Sequence, residues 1–282
     1  IFLYKLYLHH KRVIYMKNKN ISKEIEKIIC EKYIKGKTNK ELSKEFNIHR
    51  TTILRILKRN NIELRSSSIT SRKNFIINFN GDILTTNDAY ILGLIWADGN
   101  LSRNCIEIVL QESDRQILDD ISKYVYNKDT LTYRKPRNLI SNNIEYKCKP
   151  QVRFRITSKD ISNKLRKIGL KENKSLTCNL PILDEYFIPH FIRGLLDGDG
   201  CIYTKNIRSC KVDIISNHIM ANEISNIINK TLKIRSKVYL KTENVSTFTI
   251  SGRLQILKFL EWIYKDADLK LDRKYKKYKE LI

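Results

Sequence analysis

The stretch Ile91-Leu92-Gly93-Leu94-Ile95-Trp96-Ala97-Asp98-Gly99 recurs as Ile192-Arg193-Gly194-Leu195-Leu196-Asp197-Gly198-Asp199-Gly200, and Asp199 follows Asp98 by 101 residues. An internal repeat of this kind reads as two copies of one structural unit. Each copy is preceded by an aromatic residue, Tyr90 or Phe191, and followed by a β-patterned stretch, so the context repeats along with the letters. Gly93 and Ala97, like Gly194 and Gly198, stand four residues apart on one helical face and leave a bare stripe where two helices approach closely. That pairing sets Asp98 and Asp199 side by side at the helix C-terminal ends. Two carboxylates there repel each other and the local dipole, a cost that bound cations offset. Mg2+, with its oxygen ligands and retained waters, is the natural cation and Mn2+ the alternative. Gly99 and Gly200 then let the chain turn into a strand.

These residues resemble the LAGLIDADG homing endonucleases in their two-motif, monomeric form, over residues 88–281. The resemblance implies an α+β fold of two pseudo-symmetric αββαββα repeats, each with a curved antiparallel sheet that saddles DNA. It further implies a site-specific double-strand DNA endonuclease in which Asp98 and Asp199, at the eighth motif position, are catalytic and hold the metal. The backbone carbonyls of Ala97 and Gly198 would complete the coordination. A basic residue near the metals is also implied, with Arg155, Lys159 and Arg253 as candidates. Trp96 and Arg193 depart from the motif's name-giving letters, and Trp96 is expected to pack. The expected chemistry is metal-assisted phosphodiester hydrolysis, with an activated water as nucleophile and no covalent protein intermediate. The same scaffold serves RNA maturases and non-cleaving DNA-binding regulators, so intron RNA stands as an alternative partner to double-stranded DNA.

Outward from the motifs, residues 151–157 alternate, placing Val152, Phe154 and Ile156 inward and Gln151, Arg153, Arg155 and Thr157 on the other face. Residues 237–241 and 247–251 repeat the device in the second copy. Gln111, Arg153, Arg155, Lys237, Tyr239 and Lys241 are the candidate DNA contacts, since Arg and Lys meet guanine or phosphate and Gln meets adenine. Helices are expected over 159–168 and 253–264, followed by a basic segment at 270–279.

Toward the N-terminus, Ile25, Ile28, Ile29 and Tyr33 recur at helical spacing up to Gly36. Thr38 and Glu41 form a capping box for a second helix carrying Leu42, Phe46 and Ile48. A third begins near Arg50, with Ile53, Leu54, Ile56 and Leu57 inward. This module resembles a helix-turn-helix of the resolvase-like or homeodomain-like kind, which implies major-groove contacts from Arg50, Thr51, Thr52 and Arg55. A three-helix bundle used for packing or protein contacts is the competing reading. The expected organisation is a leader at 1–20, the helix-turn-helix at 21–65, a linker at 66–84, and repeats at 85–178 and 179–282. The leader, in which Met16 follows an apolar and basic stretch, is read as translated upstream sequence or a disordered segment.

Composition agrees with a polyanionic partner: 54 Lys and Arg against 30 Asp and Glu give a formal charge of +24 over 282 residues. No apolar run is long enough for a spanning helix, so a soluble, monomeric, intracellular protein (cytoplasm, nucleoid or organelle matrix) is expected, not a secreted or membrane one. The six cysteines contain no CxxC pair and read as reduced thiols. The five histidines are scattered, which disfavours nuclease classes built on clustered histidines.

Overall fold

The structure, a computed structural model, describes residues 21–65, 76–141, 144–172, 174, 177–204 and 210–282, with the side chains of 137–146 left out. The expected leader and residues 66–75 of the expected linker lie outside the described residues. The chain divides into two units, 1–77 and 78–282.

The first unit contains α1 (Lys23–Ile34), α2 (Asn39–Phe46) and α3 (Arg50–Arg59). Ser22 caps α1, and Thr38 and Glu41 form the capping box at α2. Asn47 ends α2 in the left-handed region (φ 53°), a conformation asparagine tolerates because its short side chain bonds locally. The His49 Nδ1 then accepts from the Thr51 amide and starts α3. Ile29, Cys30, Tyr33, Leu42, Ile53, Ile56 and Leu57 close the core. Ile28, read as part of the buried stripe, turns outward.

In the second unit the first repeat runs α4 (Thr86–Asp98), β1 (Gly99–Ser102), β2 (Cys105–Gln111), α5 (Arg115–Tyr126), β3 (Thr132–Arg134), β4 (Arg137–Ser141), β5 (Ile144–Cys148), β6 (Gln151–Thr157) and α6 (Lys159–Lys167). The second runs α7 (Ile188–Asp199), β7 (Gly200–Tyr203), β8 (Lys211–Ser216), α8 (His218–Leu232), β9 (Ser236–Thr242), β10 (Val245–Ser251) and α9 (Arg253–Tyr264), followed by α10 (Asp272–Leu281). Both principal sheets are antiparallel, in the orders β1-β2-β6-β3 and β7-β8-β10-β9. Even the register repeats: Gly99 pairs with Ile108, and Gly200 with Ile214. The fold is therefore α+β, with two αββαββα repeats that follow a small helical unit in the chain.

Two features exceed the repeat. The ribbon β4–β5 continues the β3–β6 hairpin in the first copy alone. Its ladder stops at Arg134–Gln151 and resumes at Arg137–Cys148. Pro136 and Pro150 fall on the two strands of that gap, each removing an N–H from the ladder. The basic segment after α9 folds as α10, whose Tyr275 and Tyr278 pack on Tyr264. Of the segment read as a linker over 66–84, the part from Asn78 packs on the second unit. Its side chain donates to the Tyr124 carbonyl at 2.9 Å, and Phe79 is buried.

Candidate active site and nucleic-acid interface

A Thr85–Asp88 capping box opens α4, and Pro189 in the first turn opens α7. The two helices lie against each other through glycine. A Cβ on Gly93 would sit 2.0 Å from the Phe191 carbonyl oxygen, and one on Gly194 would sit 2.2 Å from the Tyr90 carbonyl oxygen. The contact is reciprocal, each glycine meeting the carbonyl three residues before the other, as a local twofold requires. One turn further on the symmetry breaks: a Cβ on Gly198 would lie 2.3 Å from the Ala97 methyl. Trp96 is buried, edge-on to Phe191, with its indole N–H on the Asn179 carbonyl at 3.1 Å.

This packing brings Asp98 and Asp199 together at the ends of α4 and α7. Solvent reaches both carboxylates, yet protein crowds them closely enough to act on their ionisation. Asp98 is pushed up to about 6, by burial first and by the Asp199 charge second. Burial also raises Asp199. Against this stand two lysines that the sequence reading passed over. Lys174 donates to the Ala97 carbonyl at 2.5 Å, and Lys274 to the carbonyls of Leu196 (2.5 Å) and Asp197 (2.7 Å). Each ammonium thus neutralises the C-terminal end of its own motif helix. Their action on the acids is crossed: Lys274 is the stronger cation at Asp98, and Lys174 the stronger at Asp199. Burial lowers both lysines, Lys274 to about 8. Lys174 follows Asp98 by 76 residues and Lys274 follows Asp199 by 75, each just after a Leu-Lys pair. Aligning the two copies beyond the motif would have found them.

The second copy carries a buried polar network absent from the first. Arg193, fully buried, donates to the carbonyls of Leu269 (3.0 Å) and Ile263 (2.7 Å) and meets His190 Nδ1 at 2.6 Å. Asp197 accepts from the Tyr90 hydroxyl and the Leu271 amide, both at 2.8 Å. Asp197 therefore ties α4, α7 and the α9–α10 connection to one carboxylate, which seats Lys274.

The carboxylate pair suits a hard divalent cation. Its donors are oxygens open to solvent on one side, and among the described residues no cluster of His or Cys joins them, so bound waters and a phosphate would complete the shell. No group of three or more His, Cys, Asp or Glu side chains placed to hold a metal occurs among the described residues. The Ala97 carbonyl, expected as a ligand, already accepts from Lys174.

On the first sheet Arg153 and Arg155 gather with Arg134 around Glu107, and Gln111 lies exposed at the end of β2. On the second, Lys237, Tyr239 and Lys241 are exposed along the edge strand β9. In the helical unit Arg50, Thr51 and Arg55 are exposed on α3 and Thr52 is half-buried, with the Thr51 hydroxyl bonded to His49 at 2.9 Å. Of the suggested basic residues, Lys159 is exposed at the start of α6, and Arg253 is held by the Leu281 carbonyl. No helix among the described residues is long and apolar enough to cross a membrane.

No family model and no curated protein matches this chain. Among solved structures it is similar to full-length DUF199/WhiA from Thermatoga maritima, at 14% identity over 72% of this chain and 63% of that one, TM-score 0.43. It is also similar to the LAGLIDADG homing endonuclease I-LtrWI bound to target DNA (13% identity, 70% of this chain and 89% of that one, TM-score 0.43). A third is the LAGLIDADG meganuclease I-CpaMI bound to uncleaved DNA (14%, 70% and 90%, TM-score 0.46). At such values the likeness carries neither activity nor partner across to this chain.

Proposed function

We propose that this chain is a site-specific double-strand DNA endonuclease that hydrolyses phosphodiester bonds with divalent metal ions. The observation that carries the reading is the juxtaposition of Asp98 and Asp199 with Lys174 and Lys274 seated at the ends of the two motif helices. Packing two acids at one point is costly unless chemistry uses them, and a non-cleaving DNA-binding regulator on this scaffold has no need of the set. Asp98 and Asp199 would hold Mg2+ or Mn2+, which supplies activation of a water and charge neutralisation at the leaving oxygen. Lys174 and Lys274 stand beside the acids as cations for the charge that develops on a scissile phosphate. The basic sheets supply the backbone contacts that fix register on the duplex, and the helical unit supplies a second set of contacts through α3.

Selection of cleavable sites from a random duplex library with Mg2+ tests the proposal. Asp98→Asn and Asp199→Asn are expected to lower cleavage of the selected site by at least about 100-fold while leaving binding within a few-fold. Full cleavage by both variants would overturn the two-acid reading. Selective binding by the wild type without cleavage would leave the regulator.

A further inference from the structure

Each sheet carries an acid at the same place on the face proposed to meet DNA. From the register of the motif glycines, Glu107 in β2 and Asp213 in β8 are equivalent, opposite Asn100 and Cys201. A carboxylate in the middle of such a face repels phosphate and weakens the general attraction of a +24 chain for a duplex. Its presence in both copies calls for a gain that offsets this.

In the first sheet Glu107 gathers three guanidiniums. One carboxylate oxygen accepts from Arg134 Nη2 at 2.8 Å, and the other accepts from Arg155 Nε at 2.6 Å with Arg153 Nη1 at 3.6 Å. Arg155 is the direct cross-strand partner of Glu107, and the Tyr126 hydroxyl holds its carbonyl at 2.8 Å. The side chain of Glu107 is 16% exposed and that of Arg155 is 51% exposed, so the acid lies at the base and the arginine stands above it. Binding at Nε leaves the remaining donors of Arg155, Nη1 and Nη2, out of the bond to Glu107 on a side chain that is half exposed. Two parallel N–H groups in that arrangement match O6 and N7 of guanine in the major groove. Because Glu107 already fixes the side chain, less rotamer entropy is lost when the base is met.

We infer that Arg155, buttressed by Glu107, reads a guanine in the half-site under the first sheet, which makes Glu107 a specificity-determining residue. The inference rests on the DNA reading above. In the second sheet Asp213 accepts instead from Lys211 Nζ at 2.7 Å and Thr249 Oγ1 at 2.8 Å, and the Lys211 ammonium lies 4.5 Å from the centre of the Tyr203 ring. An ammonium is a point donor without a planar fork, so the second half-site is read less sharply at the equivalent position.

Binding of the full chain to its selected duplex and to every single-base variant, measured without divalent metal at several salt concentrations, tests the assignment. The wild type is expected to prefer guanine at one position of the first half-site by about 10- to 100-fold. Arg155→Lys, which keeps the charge and loses the fork, should erase that preference while holding affinity for scrambled duplex within about twofold. Glu107→Gln should weaken the preference and raise affinity for scrambled duplex, with a steeper salt dependence. A uniform loss across all sequences in Arg155→Ala, with the salt slope lower by about one, would mark Arg155 as a phosphate contact and overturn the inference. So would an unchanged guanine preference in Arg155→Lys and Glu107→Gln. A wild type that binds no duplex would overturn the DNA reading itself.

Discussion

Ala97 and Gly198 hold the same place in the two motifs, and the space between them admits one methyl. Gly198→Ala sets two methyls 2.3 Å apart, well inside van der Waals contact, and is expected to destabilise the fold by about 1–3 kcal/mol; adding Ala97→Gly should restore most of it. Urea unfolding of the single and double variants checks this, and equal loss in both would refute it. Gly93→Ala is harsher, because its Cβ meets a backbone carbonyl oxygen at 2.0 Å, a contact that no side-chain truncation on the partner helix can relieve. A loss of about 3 kcal/mol or more, or failure to fold, is expected. His190 gives a pH-dependent counterpart. Burial first and the Arg193 charge second lower its pKa from 6.5 to about 4, and its neutral Nδ1 accepts from Arg193. The unfolded chain takes up this proton near pH 6.5, the folded chain near pH 4. Stability from this group is therefore undiminished above pH 6.5 and falls as pH drops from 6.5 toward 4, by on the order of 2–3 kcal/mol. His190→Asn, whose amide oxygen still accepts, should flatten that dependence; an identical fall in denaturant midpoint between pH 7 and 4.5 would remove His190 as its source.

At the level of elements, the two lysines are delivered by different scaffolding: Lys274 rides on α10, fastened through Leu271 to Asp197, while Lys174 stands in the segment after α6. At Asp98 the stronger cation is Lys274 of the second repeat, and at Asp199 it is Lys174 of the first. Lys174→Met and Lys274→Met are each expected to slow one strand by about 100-fold, converting a supercoiled target plasmid to open circles instead of linear molecules. Linear product at the wild-type rate from either variant would count against a role for that lysine. The contrast between what was and was not legible follows from periodicity. Strands β6, β9 and β10 announce themselves by alternation, the capped helices by Thr38, Glu41 and their apolar stripes, and the helix pair by glycine spacing. Lys174 and Lys274 belong to no periodic pattern, and a lysine among 54 basic residues carries no mark of burial. The ribbon β4–β5 was hidden because Pro136 and Pro150 break the alternation on both strands at once. Arg153 and Arg155 were legible as an exposed basic face, but Glu107, 46 and 48 residues earlier, becomes their partner only through the β2–β6 register.

Taken whole, the second unit is two copies of one fold around a helix pair that is symmetric at Gly93 and Gly194 and unsymmetric at Ala97 and Gly198. Among the described residues, the first copy alone has the ribbon and the guanidinium cluster, and the second alone has the Arg193–Asp197 network and α10. Half-sites read by such halves need not be palindromic, and selection on a random library is expected to return a target whose two sides differ, most sharply at the position facing Arg155. A palindromic selected site would contradict this. The single methyl between Ala97 and Gly198 has a longer reach. A chain made of two first repeats would force alanine against alanine, and one made of two second repeats would leave glycine facing glycine across a void. Each repeat is thus shaped at this point for the other, and neither is shaped to pair with a second copy of itself.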